Sequence, residues 1–223
     1  MTSVVGGAGP DQGPAQLRSG QGRPPGRLWL VRHGETEWSR SHRHTGRTDL
    51  PLTRHGEQQA TGLAQMLSGL RPALVLCSPR RRAMDTARLA GFDAVVVADD
   101  LAEWEYGDYE GLTSAQIREN RRGWTIWTGD PPGGETAREV AARADRLLAQ
   151  IQTHLLQADV LLFGHGHFSR VLAARWLGQP ASAGGMFTLR PAAPCVLGHE
   201  YDAPVVLHWN LVDTRESTGR GVR

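Results

Sequence analysis

The apolar positions of this chain repeat with two alternating periods, and the order of those periods predicts an architecture. From residue 27, "RLWLV" is an apolar run of strand length. It is followed by "TRHGEQQATGLAQMLSGL", where Ala60, Leu63, Ala64 and Leu67 recur at helical spacing before Gly69. "ALVLCS", bounded by Pro72 and Pro79, reads as a buried strand. Helix "RRAMDTARLAG" and strand "AVVVA" come next. This β-α-β-α-β alternation predicts a three-layer α/β/α sandwich around a mostly parallel sheet. Residues 99–136 break the rhythm: they are rich in Trp, Tyr, Gly and charge, hold a short helix at "SAQIREN" and turn at "GDPPGGE". We read them as an insertion laid over the sheet. A long amphipathic helix at about 136–156 then leads into strand "DVLLF" and helix "FSRVLAARWLG". Strands near "MFTLR", "CVLGHE" and "VVLHWNLV" complete the sheet, the last of them through an antiparallel hairpin.

Composition narrows the class. A chain of 223 residues is long enough for one sizeable core. Residues 1–26, made of Gly, Pro, Gln and Ser with scattered Arg, lack the apolar content to order themselves and are expected to be a flexible tail; residues 213–223 are expected to be a polar one. The domain is then 27–212. The longest apolar run, "ADVLLF", is far too short to span a bilayer, so no membrane partner is expected. Cys77 and Cys195 match neither a zinc spacing nor a disulfide framework, which points to the cytoplasm. Every basic side chain other than histidine is arginine, and the absence of lysine excludes a Walker-type phosphate lysine and any Schiff base. These arginines are dispersed, and at a net charge of +2 no nucleic-acid partner is expected.

In sheets of this kind ligands bind beyond the carboxyl ends of the strands. The first strand ends at Arg32-His33, the second at Ser78 with Arg80, Arg81 and Arg82 behind it, and the fourth at "GHGH", residues 164–167. Three strand ends thus deliver imidazoles and guanidiniums to one edge. Arginine forks match phosphate oxygens, a neutral imidazole can attack phosphorus, and a second, protonated imidazole would stabilise the transferring group. A proton donor for the leaving oxygen is available in "LAEWEYGDYEG", from Glu103 or Glu105. The expected partner is a small phosphorylated metabolite, with no cofactor and no metal.

The elements "LVRHGETEW", "SPRRRAMDTA", "LAEWEYGDYEGLT" and "GHGHFSR" stand together in an order that resembles the histidine phosphatase superfamily, the phosphoglycerate-mutase-like enzymes. The resemblance implies His33 as the nucleophile, Arg32 and Arg82 as phosphate ligands, His165 as the second pocket histidine and Glu103 as the acid, with Glu105 in reserve. It also implies substrate contacts at Thr45, Gly46 and Gly166, and a Gly34 that lets the backbone approach the phosphate. Arg80 and Arg81 are then expected at the surface, and His42, His44, His55 and His208 in surface or packing roles. His167 and the tryptophans Trp104, Trp124 and Trp127 stay open between core and cleft wall. Ser39 and a modest insertion depart from the mutases of this family, so a phosphatase is expected, with mutase-type phosphoryl transfer as the alternative. Likeness to the branch holding sedoheptulose-1,7-bisphosphatase and broad-specificity acid phosphatases implies a sugar phosphate as substrate. Oligomeric state is not legible in the residues.

Overall fold

The computed structural model describes residues 26–212, so of the expected tails at 1–26 and 213–223 all but Gly26, whose N–H donates to Leu155 O, lie outside the described residues. Six strands form one sheet: β1 (Leu28–Arg32), β2 (Leu74–Cys77), β3 (Val96–Val97), β4 (Val160–Gly164), β5 (Pro194–Glu200) and β6 (Ala203–His208), in the order β3-β2-β4-β1-β5-β6. The first four are parallel. β5 runs antiparallel to β1, and the β5-β6 hairpin closes that edge.

Two core clusters follow from the two-residue period of the central strands. Leu28, Leu30, Val160 and Leu162 face one layer; Val31, Leu161 and Phe163 face the other. The first layer is built by α5 (Ala137–Leu155), whose Val140, Ala144, Leu147, Ile151 and Leu155 make one buried stripe, and by α6 (Gly166–Trp176). The second is built by α2 (Arg54–Leu67) and α3 (Arg81–Leu89). Helices on both faces make the three-layer mixed sheet expected from the sequence. The insertion packs on the first layer, with Trp104, Tyr106, Trp124 and Ile126 buried there, and carries α4 (Ser114–Asn120). Each fully buried apolar side chain contributes roughly 1.5–3 kcal/mol.

Threonines start most of the helices. Thr36, at the head of the short α1 (Glu37–Arg40), and Thr113 and Thr136, ahead of α4 and α5, form reciprocal capping boxes with Ser39, Gln116 and Glu139.

Two expected strands differ. "MFTLR" forms no strand: Ala181–Met186 is a 3-10 turn, and the carbonyls after it are taken by side chains, Thr188 by Trp209 and Asn210, Leu189 by Arg32. "AVVVA" shrinks to two exposed residues at the sheet edge, because the chain leaves there for the insertion and nothing covers them.

Candidate active site

The register of the central strands puts their carboxyl ends level, with Arg32 opposite Gly164 and Cys77 opposite Phe163. The loops that follow stay stitched to β4, since His33 N–H donates to Gly164 O (3.0 Å) and Ser78 N–H to Phe163 O (2.9 Å). His33 and His165 therefore meet, their ring centroids 5.3 Å apart.

His33 Nδ1 lies 2.7 Å from Gly34 O. A carbonyl only accepts, so Nδ1 carries the hydrogen and Nε2 keeps its lone pair. Burial, then the charges of Arg82 and Arg32, hold its pKa well below the ordinary 6.5, which keeps the ring neutral.

His165 is fully buried, with Nε2 2.7 Å from Ser78 Oγ. That hydroxyl oxygen accepts from Arg80 N–H, and His165 Nε2 is the acceptor within reach of its own hydrogen. The imidazole hydrogen then sits on Nδ1, a buried atom with no partner among the described residues. The expectation of an imidazolium is corrected here. Burial and the charges of Arg82, His33, Arg80 and Arg32 push the His165 pKa well down, and it stands as a neutral donor.

The arginines around these rings share one property. Arg82, wholly buried, spends its terminal nitrogens on the carbonyls of Thr48, Thr45 and Gly46, and Arg32 spends one on Leu189 O. Their Nε–H groups, and that of Arg80, are buried without a partner. None of the three is in an ion pair among the described residues, whereas Arg27, Arg40, Arg47, Arg81, Arg88, Arg143, Arg146 and Arg175 each hold a carboxylate. Guanidiniums with buried, unpartnered Nε–H groups and no direct ion pair, beside an imidazole N–H donor, suit an anion. Arg80 is thus half-buried beside His165 rather than at the surface, because the backbone turn from β2 into α3 folds it inward; Arg81 is exposed.

Glu103 reaches the same cavity from the insertion. Its Oε1 accepts from the backbone N–H groups of Trp104 (2.9 Å) and Phe168 (2.8 Å), and its Oε2 from that of His167 (3.0 Å). Helix α6 begins at Gly166, earlier than the sequence pattern suggests, and this first turn is what grips the carboxylate. With three acceptor positions filled, a lone pair on Oε2 remains free for a proton. Glu105 instead pairs with Arg47 and does not line the cavity.

The smaller residues divide. Thr45 and Gly166 line the cavity. Gly46 does not: its carbonyl takes Arg82, and its N–H donates to the Glu110 carboxylate. At Gly34 the missing Cβ makes room for protein, since a Cβ there would lie 2.4 Å from Gly56 O at the start of α2.

Sequence reasoning missed the mouth. His42 and His44, expected in bland roles, line the cavity with Ser39, Arg43 and Ser114. Arg43 bridges Thr113, and His44 exchanges backbone hydrogen bonds with Leu112 and Gly111, so the loop after α1 is zipped to the insertion. Burial lowers the His44 pKa to about 4. Opposite stand His167 and Arg170, the latter over the Trp127 ring at 4.4 Å. Trp104 and Trp124 are core; Trp127 backs the wall. His55 and His208 are exposed and away from the cavity.

Comparisons with known proteins agree with this geometry. The family model of the histidine phosphatase superfamily (branch 1) matches residues 28–212. An acid phosphatase of Mycobacterium tuberculosis is 46% identical over 177 residues, covering 78% of this chain and 87% of that protein. Sedoheptulose 1,7-bisphosphatase of Saccharomyces cerevisiae is 40% identical, covering 68% of each. A solved structure of an open reading frame product from Mycobacterium tuberculosis superposes with a TM-score of 0.81 at 44% identity, over 83% of this chain and 97% of that one.

Proposed function

This chain belongs to branch 1 of the histidine phosphatase superfamily and is a phosphatase, and from that premise we propose that it hydrolyses a small sugar phosphate through a phosphohistidine on His33. The observation that carries the reading is the His33–Gly34 hydrogen bond, which turns an unprotonated Nε2 out of a neutral ring.

In the first step Nε2 attacks phosphorus and the bond from phosphorus to the sugar oxygen breaks, with the departing oxygen taking a proton from Glu103 Oε2. In the second, water attacks the phosphohistidine, Glu103 takes its proton, and the P–N bond breaks to return the electron pair to Nε2. Arg32, Arg82 and the His165 Nδ1–H group hold the phosphoryl oxygens through both steps. Arg80 adds positive charge behind His165. The buried free thiols Cys77 and Cys195 suit a reducing compartment, in keeping with a cytoplasmic enzyme.

The test is a phosphate-release panel of sugar phosphates combined with rapid quenching of labelled turnover. Acid-labile, base-stable label should appear on the wild-type chain, and both label and turnover should vanish in His33→Ala; chelator should leave the rate unchanged. Full turnover in His33→Ala would overturn the mechanism. Interconversion of phosphoglycerates with little phosphate released would favour the mutase reading.

A further inference from the structure

We propose that Tyr106 fixes His167 as a neutral imidazole with its hydrogen on Nε2, and that this N–H recognises an uncharged oxygen, a hydroxyl or carbonyl, on the sugar portion of the substrate. The second half rests on the phosphomonoesterase reading above; the first does not.

Tyr106 Oη lies 2.6 Å from His167 Nδ1. The tyrosine is 2% exposed and this is the single hydrogen bond of its hydroxyl among the described residues. If the phenol accepted from Nδ1–H, its own hydrogen would be buried without an acceptor, at a cost of about 1–3 kcal/mol. Donation from the phenol to Nδ1 leaves nothing orphaned. Burial and the nearby carboxylates Glu103 and Glu110 raise the Tyr106 pKa, so the donor keeps its proton.

With Nδ1 accepting, the ring hydrogen resides on Nε2. That atom makes no hydrogen bond among the described residues, and His167 lines the cavity. The ring has little freedom to turn. Its backbone N–H is held by Glu103 Oε2, and the ring meets Trp127 edge-on at 5.2 Å. Groups facing it from the other elements discourage a second proton: His44 from the loop after α1, Arg170 from the next turn of α6, and Arg32 from the end of β1, on top of burial. A neutral donor is therefore presented on the wall, while Arg32, whose guanidinium suits phosphate, lies at the end of β1 on the floor.

The division of labour makes a specific forecast. For the sugar phosphate turned over fastest in the release panel, Tyr106→Phe should lower kcat/KM about tenfold more than it does for p-nitrophenyl phosphate, which carries no hydroxyl, with most of the change in KM. His167→Gln, whose amide nitrogen can stand where Nε2 stood, should retain the sugar preference to within about threefold, and His167→Asn should not. Imidazole 15N spectra of the full chain should show His167 as a single neutral tautomer protonated at Nε2, and as a mixture in Tyr106→Phe. An equal loss for both substrates, or an Nδ1–H tautomer in the wild-type chain, would overturn the proposal. If no sugar phosphate is hydrolysed while the Nε2–H tautomer is observed, the substrate reading and the oxygen recognition fall, and the tautomer assignment stands.

Discussion

The floor and the mouth of the cavity are built by opposite means. The floor is a product of the sheet: His33 lines it, with Ser78 and His165 directly behind, each follows a parallel strand, and the backbone ladder sets their spacing before any side chain packs. The mouth is a product of contacts between distant loops, where His44, Arg43 and Tyr106 reach the cavity because the segment after α1 is zipped to the insertion. A site whose shared chemistry sits on the rigid part and whose selectivity sits on the looped part can change its substrate without disturbing its reaction.

The comparison breaks if floor substitutions discriminate between substrates. Arg82→Ala should therefore give the largest effect, a loss of kcat/KM of about 1000-fold that is the same for sugar phosphates and for p-nitrophenyl phosphate, because every substrate shares the phosphoryl group. It should also lower Tm, since three backbone carbonyls lose their donor. Steady-state kinetics on both substrates and a melting curve check this, and a loss confined to one substrate would refute the assignment of Arg82 to the floor.

Glu103 stands at the boundary of the two regions and should behave accordingly. Glu103→Gln keeps the shape and removes the proton source, so single-turnover phosphorylation by a sugar phosphate should slow by about 100-fold. A nitrophenolate departs readily without a proton, and its phosphorylation step should slow much less. Equal slowing would move the acid elsewhere.

The smallest effect sharpens the mouth alone. His44 has a folded-state pKa of about 4 against an ordinary 6.5, so the unfolded chain binds more protons between those values. Its contribution to stability is complete above the unfolded value and is lost as pH falls from 6.5 toward 4. His44→Gln should make the dependence of Tm on pH shallower across that window and leave it unchanged above it, as read by thermal melts at fixed ionic strength. An unaltered slope would contradict a buried neutral His44.

What could be read in the sequence follows the same boundary. The short apolar runs located β1, β2 and β4, and the rule that ligands lie beyond parallel strand ends then brought Arg32, His33, the cluster of Arg80, Arg81 and Arg82, and His165 to one edge without any tertiary information, the choice of Arg82 within the cluster coming from the family resemblance. His42 and His44 were invisible because "SHRHTGRTD" has no periodicity and its partners, Gly111 to Thr113, are far along the chain. The protonation of His165 was misjudged for a related reason. Counting a histidine says nothing about how deeply it is buried or what surrounds it, and here burial first, then Arg82, His33, Arg80 and Arg32, work against its charge. "MFTLR" alternates like a strand, yet its carbonyls are claimed by Trp209, Asn210 and Arg32, which no local pattern announces.

The contact between Gly34 and Gly56 limits how this enzyme can recover from damage. A Cβ on Gly34 would strike Gly56 O at 2.4 Å, and one on Gly56 would strike Glu35 O at 2.1 Å. Both obstacles are main-chain oxygens. When a side chain is too large for its neighbour, shortening that neighbour restores the fit, but no shortening of a side chain removes a backbone oxygen. A lesion at either glycine therefore has no second-site suppressor at the other, and a revertant must restore glycine itself or shift the whole first turn of α2 away from the loop that carries His33.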